Sequence, residues 1–135
     1  MSTIQFNNNE TFLMITMNYV CNLKYDNYTE NILRKILENE YDNINKQDNK
    51  GQTALMIAVK SGNIDLVKLL LEYNSDQNIF DNEGWTVQTY AIYNIEISKY
   101  RKILNLLIEK EYNNSCFGNI SYYFCKCLIW SYKRY

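Results

Sequence analysis

The four cysteines are the residues of this sequence whose type and spacing come nearest to a chemical site. Cys125 and Cys127 are separated by one residue, Cys116 lies nearby, and Cys21 lies far off in the sequence. A structural zinc site takes four cysteine or histidine ligands in paired spacings, and the chain has no histidine. We therefore expect no metal and no other cofactor, and we interpret the cysteines as buried or partly exposed thiols.

Catalytic groups are equally hard to assemble from this composition. The absence of histidine removes the commonest general base, and with it any Ser-His-Asp arrangement or Cys-His pair. The four glycines are scattered and form no phosphate-binding loop. Carboxylates such as Asp42, Asp76 and Glu109 fall at the ends of predicted helices and in turns, where they act as caps or face solvent. We expect that the protein is not an enzyme and has no catalytic residues.

Bulk composition excludes further classes of function. The net charge of the 135 residues is −1 and no block of basic residues is present, so we expect no nucleic-acid partner. The longest apolar tract, residues 120–130, contains a lysine and is shorter than the roughly 20 residues of a membrane span. Residues 1–10 carry no lysine or arginine and so do not resemble a signal peptide. We expect an intracellular protein with free thiols in a reducing compartment.

Two stretches of the sequence repeat at a spacing of 33 residues. Residues 48–53 (DNKGQT) and 81–86 (DNEGWT) share Asp, Asn, Gly and Thr, and Ala58 recurs as Ala91. A second pattern occurs three times, in residues 32–38, 66–72 and 103–109. Each copy has apolar residues at i, i+1, i+4 and i+5 followed by glutamate, which predicts one buried helix face. The elements that must position any site are therefore repeated helices and the turns between them.

The middle copy, residues 48–80, resembles the ankyrin repeat along its whole length, and weaker copies extend the resemblance to roughly residues 9–114. The resemblance implies an all-α fold, an open solenoid of about three helix-turn-helix units in a single domain, residues 1–135. We expect a degenerate repeat at 7–47, a well-matched repeat at 48–80, a degenerate repeat at 81–115 and a C-terminal capping helix at 116–135. The tail has apolar residues at helical spacing, namely Ile120, Tyr123, Phe124, Cys127 and Leu128.

Matched residues have physical tasks in the family. Gly51 and Gly62 are expected where the backbone turns, and Asn74 stands where the family usually has a glycine of positive φ. Thr53 is placed to cap the first helix, and Ala58 is small enough for neighbouring helices to approach closely. The sequence also departs from the family, because insertions near residues 22–30 and 95–101 separate the helices of the outer copies.

Residues at the turn tips vary within the resembled family and are the candidate protein-binding residues. They are Gln47, Asn49, Lys50 and Gln52 in one copy and Phe80, Asn82, Glu83 and Trp85 in the next. Large aromatics at exposed tips favour binding, since they offer much contact area at low entropy cost. The alternative for Trp85 is that it folds back over the degenerate third repeat.

The resemblance implies a non-enzymatic protein–protein interaction module that uses the turn tips and the concave helix face. We expect a monomer with one unidentified protein partner, and no membrane or nucleic-acid partner. Two alternatives remain open: a targeting or adaptor subunit that recruits a client protein to a larger complex, and a decayed repeat copy without a selected partner. The excess of Asn, Ile, Tyr and Lys fits an AT-rich microbe, a protist or a large DNA virus, and a viral protein would work in the host-cell cytoplasm.

Overall fold

Helices follow one another in pairs along residues 10–114, which are the residues described by a computed structural model. The six α-helices of this range are α1 (Phe12–Val20), α2 (Asn27–Asn39), α3 (Ala54–Ser61), α4 (Ile64–Glu72), α5 (Val87–Tyr93) and α6 (Ser98–Asn114). A short 3-10 helix covers Tyr41–Asn43. The fold is all-α, as predicted, with no strand in residues 10–114.

The first helix of every pair begins at a threonine. Thr11, Thr53 and Thr86 each have extended backbone angles, and each hydroxyl oxygen accepts a hydrogen bond from the backbone N–H three residues on, at 3.2 to 3.4 Å. This satisfies one of the N–H groups that a helix start leaves without a partner. Asp26 and Asn63 cap α2 and α4 in the same manner. The cap predicted at Thr53 is confirmed, and it recurs in both neighbouring repeats.

The apolar faces of the helices form one continuous core. Helix α3 packs against its partner α4 and lies between α1 and α5, while α4 packs against α6. Ala58 and Ala91 are both completely buried, as expected for small residues where neighbouring repeats meet. Other fully buried side chains are Leu13, Met17, Leu33, Leu37, Leu55, Leu66, Leu70, Ile103 and Leu107.

Two left-handed residues end the helices of the middle repeat. Gly62 has a φ of 70° after α3, and Asn74 has a φ of 59° after α4. The N–H of Asn63 then reaches the carbonyl of Ala58 at 3.3 Å, so that the chain reverses directly into α4. The positive φ predicted for Asn74 is confirmed.

The insertion in the third copy lies in the turn at residues 94–97, and it brings α6 onto the end of α3. The Lys99 ammonium donates to the carbonyl of Ser61 at 3.1 Å, and the Tyr100 hydroxyl donates to the carbonyl of Lys60 at 2.7 Å. These contacts satisfy carbonyls at a helix C-terminus and place a cation at its negative end. A Cβ atom on Gly62 would meet only the mobile end of the Lys99 side chain, so the positive φ is what requires glycine there.

The insertion in the first copy is shorter than the sequence indicated. The loop covers residues 21–26, because Asp26 starts α2 at Asn27 and residues 27–30 form its first turn. Arg34 Nη2 lies 2.7 Å from Glu30 Oε1 on the same helix and, across the junction to the second repeat, 2.9 Å from Glu72 Oε2. The predicted capping helix at 116–135 lies outside the described residues, and the division of the chain into repeat boundaries stays a prediction.

Candidate protein-binding surface

An aspartate organises each of the two turns that precede α3 and α5. Asp48 Oδ1 accepts hydrogen bonds from the backbone N–H of Lys50 at 2.9 Å and of Gln52 at 2.8 Å. The backbone N–H of Asp48 in turn donates to the carbonyl of Gln52 at 3.0 Å. These three hydrogen bonds fix the backbone conformation of residues 47–53, the first turn.

The second turn, residues 80–86, repeats this arrangement. Asp81 Oδ1 accepts from the N–H of Glu83 and from the N–H of Trp85, both at 2.9 Å. The N–H of Asp81 donates to the carbonyl of Trp85 at 3.0 Å. The repeated DNxGxT sequence therefore produces the same backbone in both places.

Hydrogen bonds also join the two turns to each other. The side chain of Gln47 donates to the carbonyl of Phe80 at 2.8 Å, and the side chain of Asn82 donates to the carbonyl of Asn49 at 2.8 Å. The backbone N–H of Asn82 reaches the carbonyl of Lys50 at 3.0 Å. Gln47 and Asn82 were predicted as binding residues, and in the structure their amide groups hold the two turns together.

Gly51 allows this close approach of the turns. Its φ is 73°, and a Cβ atom there would lie 2.6 Å from Asn82 Oδ1 and 2.7 Å from the backbone nitrogen of Asn82. Real Cβ contacts are longer than 3.0 Å, so any other residue would push the second turn away. The glycine expected for backbone freedom is therefore also required for contact between repeats.

Trp85 packs towards the protein on the aromatic side chains of α5. Its ring centroid lies 5.0 Å from that of Tyr90 and 5.4 Å from that of Tyr93, both in tilted arrangements. Trp85 is half-buried and packs against the core. The alternative in which Trp85 folds over the third repeat thus describes most of its environment, and a smaller part of the side chain remains accessible to solvent.

Tyr90 connects this aromatic cluster to the turn. Its hydroxyl donates to Asp81 Oδ2, and the ammonium group of Lys60 lies 5.1 Å from the centre of its ring. Burial and the neighbouring Asp81 carboxylate raise the pKa of Tyr90 to about 12. Burial alone would raise the pKa of Asp81, but the hydrogen bonds from Tyr90, Trp85 and Glu83, with the charge of Lys60, hold it below its ordinary value. Asp81 is therefore ionised and fixed in place at neutral pH.

The most exposed apolar side chains near the second turn flank Trp85. Phe80 is 63% exposed and Tyr93 is 75% exposed. Of the other predicted residues, Asn49, Lys50 and Glu83 are exposed at the tips, and Gln52 is half-buried and hydrogen-bonded to the Tyr90 hydroxyl. Tyr93 and Lys60 were not among the residues predicted to bind. Their shared place in the repeats, 33 residues apart on the first helix of each pair, could have indicated them.

A shallow cleft beside the first turn lies between α1 and α3. It is lined by Asn18, Cys21, Asn22, Gln52, Ile57, Lys60 and Ser61. Burial raises the pKa of the free Cys21 thiol, and a hydrogen bond with Ser61 offsets part of that rise. In the range 10–114 no group of three or more cysteines and carboxylates is placed to hold a metal ion. Cys116, Cys125 and Cys127 lie outside the described residues.

Comparison with known proteins assigns the family. A family model described as ankyrin repeats, in three copies, matches residues 17–117. The chain belongs to the ankyrin-repeat family. Ankyrin repeats are generally protein–protein interaction modules. Within the described range no helix is both long and apolar enough to cross a membrane.

Similar proteins come from animals and a virus. A Notch-regulated ankyrin repeat-containing protein of Xenopus tropicalis is 30% identical over 86 residues, which cover 64% of this chain and 72% of that protein. An ankyrin repeat and SAM domain-containing protein of Rattus norvegicus is 36% identical over 81 residues, 58% of this chain and 9% of that protein. An ankyrin repeat domain-containing protein of Monkeypox virus is 42% identical over 86 residues, 62% of this chain and 12% of that protein. The chain thus spans only a small part of two of these relatives.

A solved structure has the same fold. It is the complex of a predatory endopeptidase from Bdellovibrio bacteriovorus with an immunity protein, and the matching chain is 25% identical with a TM-score of 0.55. The match covers 70% of this chain and 45% of that chain.

Proposed function

We propose that the protein binds a partner protein through the tip of the second turn and the adjoining face of α5, with Phe80, Trp85 and Tyr93 as its apolar contacts. The observation that carries the proposal is the pair of exposed aromatics, Phe80 and Tyr93, on either side of a half-buried tryptophan. Asn49, Lys50 and Glu83 supply the polar rim of this surface. Gln47, Gln52 and Asn82 act by holding the tips in position.

Rigid support makes these aromatics suitable for binding. An interface gains least when it must first order its own side chains, and aromatic residues have few rotatable bonds to order. Trp85 is held through its own backbone by Asp81 and through its ring by Tyr90 and Tyr93. Phe80 is anchored by the hydrogen bond from Gln47 to its carbonyl. The surface is therefore largely pre-formed before a partner arrives.

The contacts of the third repeat support a functional module over a decayed copy. Its sequence has lost much of the repeat pattern, yet the capping threonine, the aspartate frame and the bonds between the turns are all present. We propose further that the protein is not an enzyme, that its partner is not a nucleic acid, and that it works inside the cell. The near-neutral net charge and the free Cys21 thiol support these statements.

The experiment is affinity capture with the full chain, followed by measurement of the captured partner against two double variants. Phe80→Ala with Tyr93→Ala should weaken binding at least tenfold, the effect of losing about two central aromatic contacts. The matched control, Phe80→Tyr with Tyr93→Phe, keeps the aromatic area and should bind within a few-fold of the wild type. Circular dichroism should show unchanged helicity for both variants, because both side chains are exposed.

Two results would contradict the proposal. Equal binding by the alanine variant and the control would show that the aromatics contribute nothing. A partner that needs residues 116–135 and ignores both aromatics would favour the targeting or adaptor role.

A further inference from the structure

The outer face of the first repeat consists of the side chains of α1 and α2 that point away from the second repeat. Ile32 is 41% exposed on this face, whereas Leu66 and Ile103 at the equivalent positions of the next two repeats are completely buried. Phe12 is 48% exposed, and both of its counterparts are buried as well. In the later repeats the preceding helix pair covers these positions. The first repeat keeps large apolar residues where the described chain provides no such cover.

Large apolar residues lie on this face along both helices of the first repeat. Tyr28 lies one helical turn before Ile32, and Tyr19 lies two turns after Phe12, and both tyrosines are exposed. A contiguous exposed apolar patch marks an interaction site. The face is therefore a docking surface.

The charged residues at the edge of this outer face indicate which charge a docked partner should carry. Glu72 Oε2 forms an ion pair with Arg34 Nη2 across the junction between the first and second repeats, at 2.9 Å. Glu38 occupies the equivalent position one repeat earlier, and it forms no ion pair with any residue in the range 10–114. An occupant of the outer face should place a cation near Glu38. Lys35, exposed three residues earlier on the same helix, is such a cation.

We propose that the occupant is a second copy of this chain, with the two α2 helices antiparallel about a two-fold axis. In an antiparallel two-fold pairing, a contact of one residue with another is made twice. Lys35 of each copy then meets the partner's Glu38, and the apolar side chains around Ile32 and Phe12 cover one another. The face is self-complementary in this arrangement, since it supplies both the cation and the anion of each pair.

The size of the face predicts a weak complex. Helix α2 has 13 residues and is roughly 20 Å long, and two adjacent helices are together roughly 20 Å wide, so about 400 Å² of each copy would face the other. That is smaller than the roughly 800 Å² per partner of a standard interface. The dimer should therefore form at high protein concentration and dissociate on dilution, in contrast to the monomer expected from the sequence.

Sedimentation equilibrium from micromolar to millimolar concentration tests the proposal directly. The average mass should rise from 16.2 kDa towards twice that value. Ile32→Ser and Tyr28→Ser should each weaken association at least tenfold, with melting at low concentration unchanged because both residues are exposed. Phe80→Ser removes an exposed aromatic from the second turn, away from the outer face of the first repeat, and is the control that should leave association unchanged. A monomer at every concentration, or an equal loss in the control, would overturn the proposal.

Charge exchange tests the two-fold pairing itself. Lys35→Glu and Glu38→Lys should each weaken the dimer, since each places like charges opposite one another. The double variant restores both pairs and should restore association. A failure of either single change to weaken the dimer, or of the double change to restore it, would sink the two-fold arrangement. Partner binding through Phe80 and self-association through Ile32 involve separate surfaces, so either proposal can fail alone.

Discussion

Gln52 lies between glycine and threonine at the first turn, and Trp85 occupies that place at the second turn. Both turns have the same hydrogen bonds to an aspartate, at nearly equal distances. The first turn presents polar side chains, while the second places aromatic residues at and beside its tip. The frame and the surface are thus independent of each other. One backbone can carry different binding surfaces as long as the aspartate, glycine and threonine are kept.

The largest difference between the turns should appear when each tip residue is truncated. Trp85→Ala should lower the free energy of unfolding by roughly 1–3 kcal/mol, less than the ~3–5 kcal/mol of a fully buried tryptophan, because the side chain is only partly buried. Phe80→Ala, on the same turn but exposed, should change it by less than about 0.5 kcal/mol. Urea denaturation of both variants measures this. Equal losses would mean that Trp85 has no structural role in the third repeat.

A smaller difference in stability between the two turns should follow from the Tyr90 hydroxyl, which donates a hydrogen bond to the aspartate of the second turn. Tyr90→Phe leaves Asp81 without one partner and should cost about 1–2 kcal/mol at neutral pH. At the first turn Ile57 stands at the position of Tyr90, so no comparable bond supports Asp48. Denaturant unfolding of the Tyr90 variant gives the value. A loss near zero would show that the tyrosine hydroxyl is dispensable.

The same substitution should alter the acid response of the protein. The pKa of Asp81 is lowered in the folded state, so its contribution to stability is complete above the ordinary carboxyl pKa and is lost as the pH falls through the lowered value. Removing the Tyr90 hydroxyl takes away one cause of the lowering. The pKa of Asp81, followed by carboxyl NMR, should therefore rise in the variant. The stability that Asp81 loses on acidification should be smaller than in the wild type, and the loss should be complete at a higher pH. An unchanged pKa would contradict this account.

The smallest effect concerns the link between the turns. Asn82→Ala removes the side-chain hydrogen bond to the carbonyl of Asn49 and should cost about 0.5–1 kcal/mol. Asn82→Asp is the control, since it keeps the shape but lacks the donor, and it should lose at least as much. Thermal unfolding resolves both. If neither variant is less stable, the two turns are held independently by their own aspartates.

Repetition is the part of the fold that the sequence could predict. The spacing of 33 residues, the capping threonine, and the left-handed Gly62 and Asn74 follow from local rules, and the structure has them all. The family assignment and the all-α class follow from the same pattern. These features depend on residues close together in the chain, where spacing and geometry are directly connected.

Contacts between distant residues could not be predicted in this way. The insertion before α6 was interpreted only as a separation of two helices, yet Lys99 beside it reaches the carbonyl of Ser61, 38 residues earlier. The surroundings of Trp85 depend on the rings of Tyr90 and Tyr93, whose side-chain directions are set only once α5 is placed. Gln47 and Asn82 were predicted as variable binding residues, whereas their side chains donate to backbone carbonyls of the neighbouring turn. Every residue has such a carbonyl, so the sequence does not reveal these partners.

The contacts of Lys99 and Tyr100 have a consequence for how the array unfolds. A repeat protein can lose its end units one at a time when each unit satisfies its own backbone groups. Here the last carbonyls of α3 accept their hydrogen bonds from the beginning of α6. Fraying of the third repeat would leave those carbonyls in the middle repeat without these partners. These contacts therefore couple the two repeats, and we expect the stretch from α3 to α6 to unfold as one cooperative unit.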